Sequence, residues 1–232
     1  MQKPSRPLID LLISIVIPSV ILMNLSETER LGPQAALILA LAFPVGLGLY
    51  ELLRYRATNY MALLGLVSVL LTGGIGLLQL DPQWLAVKEA AIPGILGVVV
   101  IVSARIGHPL IKILLYNRAV LNVDKISERL EARGYTETFE QHLLRGNTLL
   151  GGTFFFSATM NYLLATWIVT SPAGSPEFNE ELGRMTILSY PVIAIPCMIM
   201  MIAILFMLWR SIHKLTDLTL EEAINAGADS DS

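Results

Sequence analysis

The stretch LGPQAALILALAFPVGLGLYELL, residues 31–53, is followed at once by Arg54 and Arg56. Its only Asp, Glu, Lys or Arg is Glu51, in the last turn, one turn from Arg54 and Tyr55 and read as a surface ion-pair partner of Arg54. Crossing a hydrocarbon core of about 30 Å takes roughly 20 helical residues, and this run has that length. A bilayer leaves no water to satisfy the backbone, so such a run must be a helix or a barrel strand, and nothing in it alternates as a strand does. Pro33 falls in the first turn, where its missing N–H costs nothing, while Pro44, Gly46 and Gly48 loosen the inner half.

Working outward, five more apolar runs of similar kind lie at about 8–25, 60–80, 82–104, 148–170 and 185–209. Of the 16 Lys and Arg residues, Lys3, Arg6, Arg54, Arg56, Arg105, Lys112, Arg118, Lys125, Arg129, Arg133, Arg145, Arg210 and Lys214 fall in alternate gaps. The intervening gaps, with the outer end of the fourth run, hold only Arg30, Lys88 and Arg184. By the positive-inside rule this alternation predicts six transmembrane helices with both ends in the cytoplasm. The expected fold class is therefore all-α, a polytopic membrane protein with a small helical cytoplasmic insertion between helices 4 and 5.

The expected organisation is a first membrane half at 1–104, a cytoplasmic helical segment at 105–146, a second membrane part at 147–210, and a tail at 211–232 that is disordered towards its end. In the insertion, Val123, Ile126 and Leu130 recur at helical spacing, with Asn122 or Asp124 as cap and Gly134 as stop. A second short helix carries Phe139 and Leu143 on one face. These helices either pack under the bundle, lie in the headgroup region, or dock a protein. Asp81-Pro82 reads as an N-cap and a first-turn proline for the fourth helix. The first apolar run lacks a small-residue cleavage site and is followed directly by another, so it reads as a retained span.

Composition agrees: 54% hydrophobic and 15% charged residues is too apolar for an ordinary soluble domain. A net charge of -3 with no basic stripe argues against nucleic acid as a partner. Cys197 is the single cysteine, which excludes an internal disulfide and an all-cysteine metal site. His108, His142 and His213 fall in cytoplasmic gaps, so no intramembrane pair can hold haem. HExxH, aspartate-rich and glycine-rich phosphate motifs are absent, and no serine has an elbow motif beside a base. The expectation is a protein that is not an enzyme and has no cofactor or metal.

Ionisable residues within a span are costly, so each is a candidate. Asp10 sits in the first turn of the first helix, where its charge suits the helix N-terminus. Lys88 and Glu89 lie inside the fourth span. Being adjacent, they point about 100° apart, so at least one is expected to seek another partner. Glu177, Asn179, Glu180, Glu181 and Arg184 of the outer loop between the fifth and sixth spans, together with Arg30, are the candidate partners, and snorkelling of Lys88 to the headgroups is the alternative. Asn161, mid-span, suits an interhelical hydrogen bond. Gly73, Gly74, Gly76, Gly94 and Gly97 suit close helix approach.

Several blocks resemble the intracellular septation protein A family of bacterial inner-membrane proteins. LIDLLI at 8–13, with Asp10, is similar to that family's opening. TGGIGLL followed by DPQWLAVK, with Lys88, is similar to its glycine pair, acidic turn and lysine. HPLIKILL at 108–115 and RGNTLLGGTFFFSATMNYLLA at 145–165, with Asn147, Phe154, Phe155 and Asn161, resemble later segments. EFNEELG at 177–183 resembles its outer motif, with Glu180 or Glu181 in place of a lysine. The resemblance implies a role in cell-envelope maintenance or septation, exerted through lipids or through envelope and division proteins. The competing expectation is a small, dimeric secondary transporter that uses an intramembrane Lys/Glu site.

Overall fold

The computed structural model describes residues 12–55, 60–114, 116 and 121–224, with side-chain detail for these outside 51–66. Asp10, the side chain of Glu51 and the last tail residues lie outside that description. A π-helical turn, Leu12–Val16, leads into α1, Ile17–Leu25. Then come α2, Pro33–Tyr55; α3, Tyr60–Leu77; α4, Gln83–Arg105; the short α5, Leu110–Leu114; α6, Val123–Arg133; and α7, Thr136–Ile168. Next are α8, Pro176–Ser189, a second π-helical turn at Tyr190–Ala194, α9, Ile195–Thr216, and α10, Leu220–Ala223. The described residues are all-helical in architecture, apart from one isolated backbone bridge between Leu121 and Ile224.

Among the described residues, three helical stretches are long and apolar enough to cross a membrane: Pro33–Tyr50, Gln83–Arg105 and the run Pro176–Thr216. Leu12–Leu25 and Val67–Leu77 are apolar but shorter. Each π-helical turn ends just before a helical proline, Pro18 or Pro196. Proline removes a donor and crowds the carbonyl four residues earlier, so the chain widens by one residue there.

Two element boundaries differ from the sequence reading. The separate helix expected for Phe139 and Leu143 is the start of α7, which begins at Thr136 rather than 148. Extending a formed helix costs less than nucleating another, and no proline interrupts this stretch. The expected outer loop at 171–184 is helical from Pro176 onward. There the Ser175 hydroxyl accepts the Phe178 N–H at 3.1 Å, and Pro176 opens the first turn.

The chain divides into two compact units. In the first, Met1–Ala91 with Thr159–Ala194, α1 packs against α2 and α8, and α2 packs against α3. Gly73 and Gly76 of α3 admit Leu41 and Leu37 of α2, whose tips lie 2.6 and 2.5 Å from where a Cβ would stand. Asn179 is fully buried on α8 and donates to Ser26 Oγ (3.1 Å) and the Pro33 carbonyl (2.7 Å), which ties α8 to the α1–α2 turn.

In the second unit, Ile92–Ala158 with Ile195–Ser232, the apolar core includes Ile111, Ile126, Leu130, Phe139, Leu143 and Ile212. Asn122 caps α6 by accepting the Lys125 N–H at 3.1 Å, and Gly134 closes it with φ 72°, as the spacing of Val123, Ile126 and Leu130 predicts. Burying each of Ile126 and Leu130 is worth roughly 1.5–3 kcal/mol. Asn147 of α7, fully buried, donates to the Val100 carbonyl (2.6 Å) and accepts the Ile111 N–H (3.1 Å). Gly94 and Gly97 of α4 lie against Ala158 and Phe155 of α7, the close approach that small residues permit.

The last described residues, up to Ile224, belong to this unit. Residues of the expected tail continue α9 to Thr216 and form α10, whose Thr219–Glu222 capping box is complete. Asn122 donates its N–H to the Ala223 carbonyl (2.9 Å), Lys125 pairs with Glu222 (3.1 Å), and Arg133 pairs with Asp217. An apolar cavity of about 190 Å³ opens between Tyr116, Phe139, Trp209 and Ile224. Burial pushes the Tyr116 phenol up, partly offset by the Ser127 hydroxyl beside it.

Candidate functional site

Lys88 is the centre of the polar cluster in the first unit. It lies inside α4, and its side chain is only 9% exposed. The ammonium meets Glu89 Oε1 at 2.6 Å and donates to Thr72 Oγ1 (2.6 Å), Ser68 Oγ (3.2 Å) and the Ser68 carbonyl (3.4 Å). Ser68 and Thr72 stand one turn apart on α3, so both hydroxyls fall on one face. Thr72 Oγ1 also donates to the Ser68 carbonyl at 3.1 Å.

This geometry corrects the sequence reading of the pair. Lys88 and Glu89 do meet: four methylenes let the ammonium curl round the helix to its neighbour's carboxylate, while hydroxyls of α3 take the remaining N–H groups. Snorkelling is not needed to satisfy the ammonium. Nor is Glu181 its partner. The Glu181 carboxylate instead accepts the N–H groups of Thr170 and Ser171, both at 2.9 Å, and their hydroxyls at 3.3 and 2.8 Å. It thereby fastens the turn between α7 and α8, which accounts for an acidic residue at that place. Glu177, Glu180 and Arg184 are exposed on α8, Asn179 is the buried tie described above, and Asn161 is half-buried on α7.

Beside Lys88 and Glu89 lies a cavity of about 180 Å³. Its wall combines Ser14, Ser19, Ser68, Thr72 and Thr186 with apolar Leu22, Leu41 and Met185. At roughly 30 Å³ per molecule it has room for a handful of waters or a small solute. The Ser19 residue is 1% exposed, and its Oγ has no hydrogen-bond partner among the described residues. A buried hydroxyl left unmatched in this way is uncommon and costs free energy unless something meets it.

Sequence reasoning placed Lys88 and Glu89 at depth but missed their hydroxyl partners. The signal was present: Ser68 and Thr72 are polar at i and i+4 within an apolar run. No set of three His, Cys, Asp or Glu side chains able to hold a metal occurs among the described residues. Compared with family models, curated proteins and solved structures, the chain matches none.

Proposed function

We propose that this chain is a six-span protein of the bacterial inner membrane, with both ends and the 105–145 segment on the cytoplasmic side. In this reading it binds a small polar solute in the cavity beside Lys88 and carries it across as a secondary transporter. The alternating Lys and Arg residues give the orientation. The two shorter apolar stretches and α7 supply the spans beyond the three long ones; 33 residues at about 1.5 Å each make α7 roughly 50 Å long.

The observation that carries the solute-binding reading is the Lys88 cavity itself. An ammonium buried against a carboxylate would serve as well in a dry, packed core. Here it borders an open space walled by five hydroxyl side chains, the kind of place where intramembrane charges mark solute paths. The test is thermal stabilisation of the purified full chain by a panel of small anions, zwitterions and neutral solutes, followed by uptake into proteoliposomes. One solute class should raise the melting temperature and accumulate, and both effects should vanish in Lys88→Met/Glu89→Gln. A panel without effect on the wild type would end this reading.

A second reading follows the resemblance to the septation family: an envelope protein that organises division or wall-synthesis partners. It is favoured by the ordered arrangement of α6, α10 and the end of α9, which presents charged faces on a fixed base. Proximity labelling from the C-terminus would enrich such proteins reproducibly if this reading holds, and would return none if it does not.

A further inference from the structure

Resting on the solute-binding reading above, we infer that the Lys88 cavity takes a small monoanion of the carboxylate kind, and that Glu89 takes up one proton as the anion binds. An ammonium has three N–H donors, yet Lys88 touches four acceptors: Glu89 Oε1, Thr72 Oγ1, Ser68 Oγ and the Ser68 carbonyl. Glu89 can therefore withdraw with every N–H still bonded. What Glu89 alone supplies is negative charge. Ser19 adds an unmatched buried hydroxyl to the same wall, so the vacant hydrogen-bonding capacity includes a donor that an anion's oxygen can meet.

Charge balance supplies the second half. At rest the site holds one ammonium and one carboxylate, and is neutral. An anion entering alone would leave two negative charges against one positive beside an ammonium whose side chain is only 9% exposed, which is expensive within a membrane. One proton from water, taken by the Glu89 carboxylate, restores neutrality; it returns to water when the anion leaves. The resulting carboxyl gains an O–H donor for the bound anion. No other titratable side chain among the described residues lines the cavity: the first π-helical turn brings Ser14, α1 Ser19, α2 apolar residues, α3 Ser68 and Thr72, and α8 Thr186. A cation would face Lys88, and a neutral or zwitterionic solute would need no proton.

The test is calorimetric titration of the purified full chain with acetate, and with glycine as a zwitterion of similar size, in buffers of different ionisation enthalpy. Wild type should bind acetate with uptake of about one proton, and affinity should rise about tenfold per pH unit as pH falls from about 8 to 6. Glu89→Gln should bind acetate without proton uptake and independently of pH; Glu89→Asp should keep the uptake. Lys88→Met/Glu89→Gln should not bind. Acetate binding to wild type without proton uptake, or glycine bound in preference to acetate, would overturn the inference and leave solute binding standing. No binding of either probe, with no stabilisation by any solute of the wider panel, would overturn both.

Discussion

At the residue scale, Lys88 shows how a charge is kept within an apolar helix: not by one opposite charge but by a ring of acceptors drawn from two helices. Removing the ammonium alone strands the Glu89 carboxylate and two hydroxyls. Lys88→Met should therefore lower the melting temperature in detergent, by about 1–3 kcal/mol of stability, and Lys88→Met/Glu89→Gln should recover most of it because the orphaned charge is gone. Equal melting of the single and double variants would mean that Glu89 does not depend on its neighbour. That the pair lies within an apolar helix was legible from hydropathy. Their meeting was not, because helical-wheel angles fix Cα directions and say little about where a four-carbon chain ends. Asn179 was similarly legible as a polar residue near the outer motif, but its burial against Ser26 and the Pro33 carbonyl joins positions 146 to 153 residues apart, beyond what local pattern can reveal.

At the scale of elements, glycines set the distances between helices. A Cβ on Gly183 of α8 would stand 3.0 Å from the Ser19 carbonyl and 2.9 Å from Met23, against backbone that cannot step aside. Gly183→Val should cost about 1–3 kcal/mol, whereas Gly152→Ala, with nothing within 4 Å, should be neutral or gain up to about 1 kcal/mol from helix propensity; chemical unfolding of both variants checks the contrast. The α10 cap is a second element with a measurable signature. The Thr219 N–H first, then Lys125 and the Thr219 hydroxyl, hold the Glu222 carboxyl down at about 2 against an ordinary 4.5. A depressed carboxyl stabilises the folded form fully above about 4.5, and that contribution fades as pH falls through about 2. Pepsin cleavage around Leu218–Ile224 should accelerate across that window in wild type relative to Glu222→Gln, which lacks the titrating group. The caps of α6 were readable from Asn122 and Gly134. The start of α7 was not, because a helix that leaves the polar segment and enters an apolar one changes composition without changing backbone state.

For the whole molecule, the apolar runs made the helical class plain, and the alternation of Lys and Arg is what motivates the proposed orientation. Cysteines introduced into Cys197→Ser at Glu27, Asp81 and Ser175 should react with an impermeant reagent added to intact cells. Those at Glu128 and Glu221 should react only after the membrane is opened. The reverse pattern would invert the proposed topology, and reaction of both groups in intact cells would dismiss it. The seam between Leu121–Lys125 and Glu222–Ile224 carries a further meaning, one of timing. Its partners are separated by at least 97 residues, the value for the Lys125–Glu222 pair. At synthesis rates of about 5–20 residues per second, the earlier segment must wait roughly 5–20 s for its partner to be made. During that interval Asn122 has no Ala223 carbonyl to bond, and α6 must be held by water, lipid headgroups or another protein until the later strand of the seam arrives.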